Sequence, residues 1–212
     1  EDRHHAAMGL EEAAVTEAVL GYKGDYDQIP PMYSALKVDG KKLYELARAG
    51  KEVERQARQV QILEIRVDKV VLPRVWMTVT CSKGTYIRTL CHDIGGKLGC
   101  GGCMEHLTRT RVDRFDIKDS LRLDEIERIR DEGGLDTCIL PVETALEGYA
   151  GLKVLPEADA FLYNGNPCFK GQLDAGDGCL DGLEDGLRFR MYDSKGHFVG
   201  VYEYQDSRHW WK

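Results

Sequence analysis

The stretch Val79-Thr80-Cys81-Ser82-Lys83-Gly84-Thr85-Tyr86-Ile87-Arg88-Thr89-Leu90 decides how the chain around it folds. Residues 76–81 alternate with the two-residue period of a half-buried strand. Residues 85–98 are predicted to form an amphipathic helix, because apolar side chains recur there at three- and four-residue steps. Those side chains are Ile87, Leu90, Cys91, Ile94 and Leu98. Ser82 or Thr85 is expected to cap this helix.

Lys83 and Arg88 flank the start of the predicted helix. The helix macrodipole is positive at that end, so a cation there is unfavourable unless an anion lies between it and the helix. Together with free backbone N–H groups, the two side chains could form a binding site for a phosphate or a carboxylate. The alternative is a surface lysine beside an arginine that pairs with a structural acid, and the pattern alone leaves both open.

Outward from this stretch, the sequence predicts an α+β arrangement. Pro30 and Pro31 lack N–H donors and keep the segment Gln28–Tyr33 extended. The other elements expected in this half are a helix at Leu10–Leu20, a strand at Ser34–Val38 with an Asp39-Gly40 turn, a helix at Lys41–Ala49 that ends at Gly50, and a long strand at Arg58–Val71 paired antiparallel with residues 75–81.

The last part of the chain has a different character. A helix is expected at Leu123–Arg130, and a domain boundary near residues 147–151 divides the chain into domains 1–150 and 151–212. Leu187–Tyr192 and Phe198–Tyr204 alternate on either side of a turn, which predicts a β-hairpin within a small β-rich module.

Composition limits the classes of protein to consider. No apolar run approaches the ~20 residues of a membrane span, so no membrane partner is expected. The seven cysteines are odd in number and scattered, which favours reduced thiols and a cytoplasmic location over a disulfide framework.

The charge of the chain is distributed unevenly. The whole sequence carries a net −7, yet residues 37–114 hold 16 Lys and Arg against 9 Asp and Glu. A basic middle in an acidic protein is what a localised polyanion-binding face produces, although chance can produce it too in a highly charged chain. Tyr33, Tyr44 and Tyr86 lie among these cations and could stack on unpaired RNA bases, or could simply be half-buried tyrosines.

Two motifs could suggest a metal. His92-Asp93 resembles the core of metal-dependent HD phosphohydrolases, but no second His-Asp pair completes such a site. Cys100 and Cys103 could supply half of a zinc site, but the second knuckle at a regular spacing is missing. Structural roles are favoured for both motifs, so neither a metal nor a cofactor is expected.

Several segments together resemble the bacterial tRNA pseudouridine synthase B family. They are Gln28-Ile-Pro-Pro-Met-Tyr-Ser-Ala-Leu-Lys-Val-Asp-Gly-Lys-Lys-Leu-Tyr-Glu-Leu-Ala-Arg-Ala-Gly50 with Val53-Glu-Arg55 and Arg58, then Ser82–Leu90 with Asp93-Ile-Gly95, and then Leu107-Thr-Arg-Thr-Arg-Val112. The closing segment from Tyr163-Asn-Gly-Asn-Pro167 onward is similar to the family's small PUA-type RNA-binding module. The resemblance runs from about Leu10 to Tyr204.

The resemblance implies a fold, an activity and roles for particular residues. The fold would be part of a pseudouridine-synthase mixed sheet with flanking helices, followed by a small β-rich PUA-like domain. The family isomerises the T-loop uridine at position 55 of tRNA, without metal or cofactor, so the expected partner is the T-arm of tRNA and the intact enzyme is expected to be a monomer. Arg88 would orient a nucleophilic aspartate, Tyr86 would pack against the target base, and Leu107 would close the apolar wall. The residues expected to contact RNA are Tyr33, Lys37, Lys83, Arg109 and Arg111.

Two departures from the family pattern affect the expected activity. Thr108 stands where the family usually carries an arginine. The aspartate motif Gly-His-Thr-Gly-Thr-Leu-Asp-Pro is absent, and no Leu-Asp in this sequence is followed by proline. With Glu1 as the first residue, the expectation is a chain lacking the first third of the enzyme and inactive by itself. The alternative function is a non-catalytic RNA-binding remnant.

Overall fold

The computed structural model describes Ala7, residues 9–38 and 40–174, Leu180 and residues 182–212. The chain divides into two compact units, Glu1–Thr108 and Arg109–Lys212. The helices are α1 (Glu12–Leu20), α2 (Leu43–Arg48), α3 (Ile87–Lys97), α4 (Leu123–Asp131) and α5 (Asp159–Tyr163). The strands are β1 (Gly24–Gln28), β2 (Lys37–Val38), β3 (Lys41–Lys42), β4 (Arg58–Val71), β5 (Arg74–Cys81), β6 (Arg111–Val112), β7 (Phe115–Asp116), β8 (Ala150–Lys153), β9 (Cys168–Phe169), β10 (Arg188–Tyr192), β11 (Phe198–Gln205) and β12 (Trp210–Trp211).

The first unit is built on an antiparallel sheet of order β1-β4-β5. Its core is formed by one face of β4 together with residues of α1 and α3, namely Val19, Ile62, Ile65, Leu90 and Ile94. The predicted long strand, its antiparallel partner and the amphipathic helix that follows are confirmed. The apolar stripe of α3 therefore packs on the sheet and holds the start of the helix at the end of β5.

The segment between β1 and β4 differs from its prediction. The strand expected at Ser34–Val38 is limited to Lys37–Val38, which pairs with Lys41–Lys42 as a short hairpin. Asp39 of the expected turn lies outside the described residues, and Gly40 adopts φ +79°. Because β3 occupies the first positions of the expected helix, α2 begins at Leu43. Gly50 follows α2 with φ +69°, as predicted for the residue after a helix.

The second unit contains a five-stranded sheet of order β8-β10-β11-β12-β9. The predicted hairpin of residues 187–204 is confirmed as β10 and β11, while β8 pairs with β10 in parallel. Ten buried side chains form its core, including Val154, Leu162, Phe189, Met191 and Trp211. The unit is β-rich, as expected, and the helix predicted at Leu123–Arg130 is present as α4. The domain boundary predicted near residue 150 stays a prediction.

Asp193 closes the turn between β10 and β11. It is buried and accepts hydrogen bonds from the Tyr163 hydroxyl at 2.5 Å and from the backbone N–H groups of Lys195 and His197 at 2.9 and 2.8 Å. The Tyr163 hydroxyl, followed by the backbone and ring N–H groups of His197, holds the pKa of Asp193 far below its ordinary value. The ionised carboxylate is therefore the form that the folded turn selects.

Asp193→Asn is expected to lower the melting temperature at pH 7 by on the order of 10 °C, because an amide NH₂ would then face backbone donors in a buried turn. A lowered folded-state pKa stabilises the protein above the ordinary Asp pKa, and that contribution is lost as the pH falls below about 4. Thermal melts are recorded between pH 7 and pH 2.5. The difference in melting temperature between the parent chain and Asp193→Asn should become smaller at low pH. Asp136→Asn, an exposed carboxylate of the same unit, serves as the control. A gap independent of pH would contradict this assignment.

Within the part of the chain that the structure describes, no helix is both long enough and apolar enough to cross a membrane.

Candidate nucleic-acid interface

The Pro-Pro segment after β1 is held by side chains from other elements. Pro30 and Pro31 cannot donate hydrogen bonds, so the sheet cannot continue through them. Instead, the Pro30 carbonyl accepts a hydrogen bond from Arg55 Nη1 at 3.2 Å. The Tyr33 carbonyl accepts one from Arg88 Nη2 at 3.0 Å. The segment is therefore tied to Arg55 and to the start of α3. The extended conformation predicted for Gln28–Tyr33 does not reach its end, because the chain bends over residues 32–35, where the Ser34 N–H donates to the Met32 carbonyl at 2.9 Å.

Gln28, the last residue of β1, makes the closest connection to α3. Its side chain is buried, with 1% exposure. Its Oε1 accepts from the Tyr86 backbone N–H at 2.7 Å, and its Nε2 donates to the Tyr86 carbonyl at 3.0 Å. Tyr86 is the N-cap residue of α3 and has no side-chain cap. The amide of Gln28 thus pairs with both backbone groups of the residue that begins the helix.

The turn between β5 and α3 is closed by hydroxyl groups, but not as predicted. Ser82 Oγ accepts from the Gln61 backbone N–H at 2.9 Å, and Thr85 Oγ1 donates to the Ser82 carbonyl at 2.8 Å. Both hydroxyls are therefore engaged in the turn, and the prediction that one of them caps the helix is wrong. Gly84 adopts φ +86° and leaves Lys83 exposed at the tip.

Arg88 lies in the first turn of α3, and its side chain is exposed. That turn contains no acidic residue. Among the described residues, the guanidinium bonds only the Tyr33 carbonyl and forms no ion pair with a carboxylate. Its remaining N–H donors point to no described acceptor, so they are available to a ligand. That Arg88 orients a carboxylate remains a prediction.

The structure gathers three of the residues singled out from the sequence. Tyr33, Tyr86 and Arg88 meet at the start of α3, where Tyr33 is 58% exposed and Tyr86 is half-buried. Lys37, Lys83 and Leu107 belong to the same compact unit and are exposed, while Arg109 and Arg111 belong to the second unit. The assigned roles of all eight residues remain predictions.

Tyr44 lies in a small cationic cluster beside the β2–β3 hairpin. Lys42 Nζ lies 5.5 Å from the centre of its ring, and the Arg48 guanidinium lies 5.4 Å from it. Lys42 also donates to the Tyr44 hydroxyl at 3.3 Å. The ring is half-buried and already engaged by two cations, so it is less accessible for stacking than the exposed ring of Tyr33.

His92 and Asp93 belong to a local side-chain network. His92 Nδ1 lies 3.1 Å from one carboxylate oxygen of Asp93, and the Tyr26 hydroxyl donates to the other. Burial, followed by the bond to Asp93, raises the pKa of Tyr26 well above its ordinary value. In the described part of the chain, no group of three or more His, Cys, Asp or Glu side chains is arranged to hold a metal ion.

Six cysteines are present as free thiols: Cys81, Cys91, Cys100, Cys103, Cys138 and Cys168. Cys179 lies outside the described residues. Cys100 is buried and Cys103 is exposed, and burial raises the pKa of the Cys91 thiol. A raised pKa keeps a thiol protonated and poorly reactive, as expected for a structural cysteine.

Gln28 and Arg55 hold the site, yet the sequence did not indicate either of them individually. A polar side chain two positions before a pair of prolines is the signal that could have identified Gln28, because the strand ends at that point and the side chain remains buried. Arg55 carries no comparable local signal. Its bond to the Pro30 carbonyl joins residues 25 positions apart.

Known structures establish the fold. A chain in the structure of an H/ACA RNP bound to a substrate RNA containing 2′-deoxyuridine superposes with a TM-score of 0.65 at 20% identity, covering 92% of this chain and 55% of that one. A chain of a Cbf5-Nop10-Gar1 complex superposes with a TM-score of 0.64 at 23% identity, covering 92% of this chain and 56% of that one. At these identities the likeness establishes the fold alone, an α+β fold shared with these chains.

Relatives at higher identity establish the family. Residues 2–87 match the TruB family pseudouridylate synthase N-terminal domain, and residues 88–147 match the tRNA pseudouridylate synthase B C-terminal domain. The chain belongs to the TruB family. It is 44% identical over 194 residues to tRNA pseudouridine synthase B of Lachnoclostridium phytofermentans, covering 86% of this chain and 62% of the relative. It is 38% identical over 190 residues to tRNA pseudouridine synthase B of Clostridium acetobutylicum, covering 90% of this chain and 62% of that relative. The chain thus spans about three fifths of the length of these relatives.

Proposed function

We propose that this chain supplies part of the RNA-binding and catalytic site of an enzyme that converts the T-loop uridine of tRNA to pseudouridine. The supporting observation is the junction of Gln28, Tyr33, Tyr86 and Arg88. There the Arg88 guanidinium bonds the Tyr33 carbonyl, keeps N–H donors with no described partner, and lies two residues from the half-buried Tyr86 that Gln28 holds. The membership in the TruB family supports the choice of reaction. The enzyme is proposed to act in the cytoplasm as a monomer, without metal or cofactor.

The proposed reaction is an isomerisation within one nucleotide. The target uridine is flipped out of the T-loop, which costs a few kcal/mol of unstacking that contacts in the pocket must offset. The glycosidic bond between the sugar and N1 breaks, the base rotates, and a bond from the sugar to C5 forms, while C5 loses its proton and N1 gains one. The atoms of the product are those of the substrate, so no co-reactant is consumed.

Each site residue has one role in this proposal. Tyr86 packs against the target base and Leu107 closes the apolar wall around it. Arg88 pairs with the nucleophilic aspartate and keeps it ionised. The residues proposed to contact the RNA are Tyr33, Lys37, Lys83, Arg109 and Arg111.

We further propose that this chain does not catalyse the reaction by itself. The aspartate motif of the family is absent from the sequence, so the chain is proposed to bind RNA and to lack the nucleophile. A second candidate function is therefore a non-catalytic RNA-binding protein. The net +7 of residues 37–114 and the exposed Tyr33 ring favour RNA binding under either candidate.

A T-arm hairpin is expected to bind this chain with a steep salt dependence. If Lys37, Lys83, Arg109 and Arg111 each neutralise one phosphate, affinity should fall by about 10²-fold between 50 and 200 mM salt. The double variant Arg109→Glu, Arg111→Glu should weaken binding to hairpins of different sequence alike and flatten the slope. The measurement is a fluorescence anisotropy titration at several salt concentrations.

Arg130→Glu, which reverses an exposed arginine of α4 outside the basic region, is the matched control. It should leave both the affinity and the slope unchanged. A slope near zero for the parent chain would show that the basic region is an ordinary solvated surface, and the proposed function would fail.

A further inference from the structure

The connections around the start of α3 form a closed ring. Gln28 bonds the backbone of Tyr86, and the chain then runs two residues to Arg88. Arg88 bonds the Tyr33 carbonyl, and the chain from Tyr33 runs back through the two prolines to Gln28. Three proposed site residues, Tyr33, Tyr86 and Arg88, therefore lie on one ring of bonds that the Gln28 amide closes.

The Gln28 amide fits its position because it offers one donor and one acceptor in a single plane, as a peptide group does. The Tyr86 N–H would otherwise be an unpaired donor at a helix N-terminus, since the helix supplies no acceptor there. The Tyr86 carbonyl also accepts from Thr89 and Leu90 at 3.0 and 3.1 Å. The backbone orientation of Tyr86, at φ −97° and ψ 101°, is thus fixed from two sides.

We propose that Gln28 is a positioning residue that sets the direction in which the Tyr86 and Arg88 side chains leave the helix start. The inference rests on the proposed function, which places these two side chains against the target base and the nucleophile. Gln28 itself is buried and touches neither the base nor the reacting atoms. Its effect passes through the Tyr86 backbone.

The first test is amide hydrogen exchange on the 212-residue chain. Gln28→Leu replaces the amide with an apolar side chain of similar size and removes both bonds, so the protection factor of the Tyr86 amide should fall roughly tenfold or more. Amides in the centre of β4 and β5 should keep their protection. Unchanged protection at Tyr86, or an equal loss at every amide of the unit, would overturn the inference.

Gln28→Glu provides a conservative variant with a pH-dependent outcome. As a carboxylate it can accept from the Tyr86 N–H but cannot donate to the Tyr86 carbonyl, while the protonated acid can do both. Burial raises the pKa of such a carboxyl. At pH 8 the bond to the Tyr86 carbonyl is lost and the carboxylate repels that carbonyl, which displaces the helix start and should lower Tyr86 protection; protection should recover as the pH is lowered and the acid is protonated. Gln59→Glu, an exposed residue of β4, is the matched control and should show no such recovery. Equal protection in Gln28→Glu at both pH values would contradict the role of the second hydrogen bond.

The second test reads the direction of the Tyr86 side chain. A T-arm hairpin with 4-thiouridine at the target position is photo-crosslinked at saturating protein, and the yield at Tyr86 is measured per bound hairpin. Gln28→Leu should lower this yield several-fold at an unchanged salt slope, and an unchanged yield would overturn the inference. Failure of the parent chain to bind the hairpin would refute the proposed function instead, and the exchange experiment would still decide whether Gln28 holds the helix start.

Discussion

The 212-residue chain, incubated with unmodified tRNA, is expected to form no detectable pseudouridine. The isomerisation needs a carboxylate nucleophile, and no aspartate of this sequence stands in the Leu-Asp-Pro context of the family. Enzymes that lose a nucleophile retain only the small acceleration that binding and electrostatics provide. Turnover should therefore lie at least about 10³-fold below that of a complete family member. Nucleoside analysis of the digested tRNA by mass spectrometry measures the product.

The control is the same chain fused behind a segment that carries the family's Gly-His-Thr-Gly-Thr-Leu-Asp-Pro motif. Restored turnover in this fusion would show that the chain folds into a competent partner for that segment. Clear multiple turnover by the 212-residue chain alone would refute the proposal that it lacks the nucleophile, and some other carboxylate would have to be sought.

The second large effect concerns Arg88 in that fusion. Arg88→Lys should keep the fold and most of the tRNA affinity but lower the single-turnover rate by on the order of 10²-fold. A planar guanidinium can bond a carboxylate through two parallel N–H groups while a third N–H keeps the Tyr33 carbonyl. An ammonium group is a point charge and cannot reproduce this arrangement. Arg88→Ala should lose more, because an aspartate without its cation shifts toward the protonated form.

The single-turnover rate is measured for each variant, and its affinity for tRNA is determined in a separate experiment. Lys83→Gln is the comparison variant, since a phosphate contact at the exposed turn should weaken binding and leave the rate of the bound complex unchanged. If Arg88→Lys matched the parent in rate, or failed only by weakening RNA binding, then Arg88 would be a phosphate contact. Its proposed role toward the nucleophile would be wrong.

The elements of the first unit that could be predicted are those with a long, regular pattern. β4, β5 and α3 each carry an apolar period over eight or more residues, and their packing against one another follows from it. The short β2–β3 hairpin was not predictable from periodicity, because two-residue strands have none. The predicted strand Ser34–Val38 includes β2 but extends too far, and the predicted helix Lys41–Ala49 includes β3.

The candidate site shows a different limit. Family resemblance selected Tyr33, Tyr86 and Arg88, but it did not indicate how they are held. The bonds that hold them, from Gln28 to Tyr86 and from Arg88 to Tyr33, join residues 58 and 55 positions apart. The same limit explains the wrong cap prediction, because Ser82 takes its donor from Gln61 across the sheet rather than from the adjacent helix. Local sequence pattern carries no information on such pairings.

The close approach of α3 to the loop that follows it has a consequence for the orientation of the helix about its own axis. Gly95 lies directly against the backbone of Gly101 and Gly102, and a Cβ atom at either Gly95 or Gly102 would collide with main-chain atoms. Gly95 is seven residues, or about two turns, beyond Arg88, so the two share nearly the same azimuth on the helix. Because the backbones of the helix and the loop touch directly, the helix can hardly rotate about its own axis. Such a rotation would drive a neighbouring side chain into the loop. Besides the Gln28 amide at the helix start, the direction of Arg88 is therefore constrained two turns away, by a contact that involves no side chain.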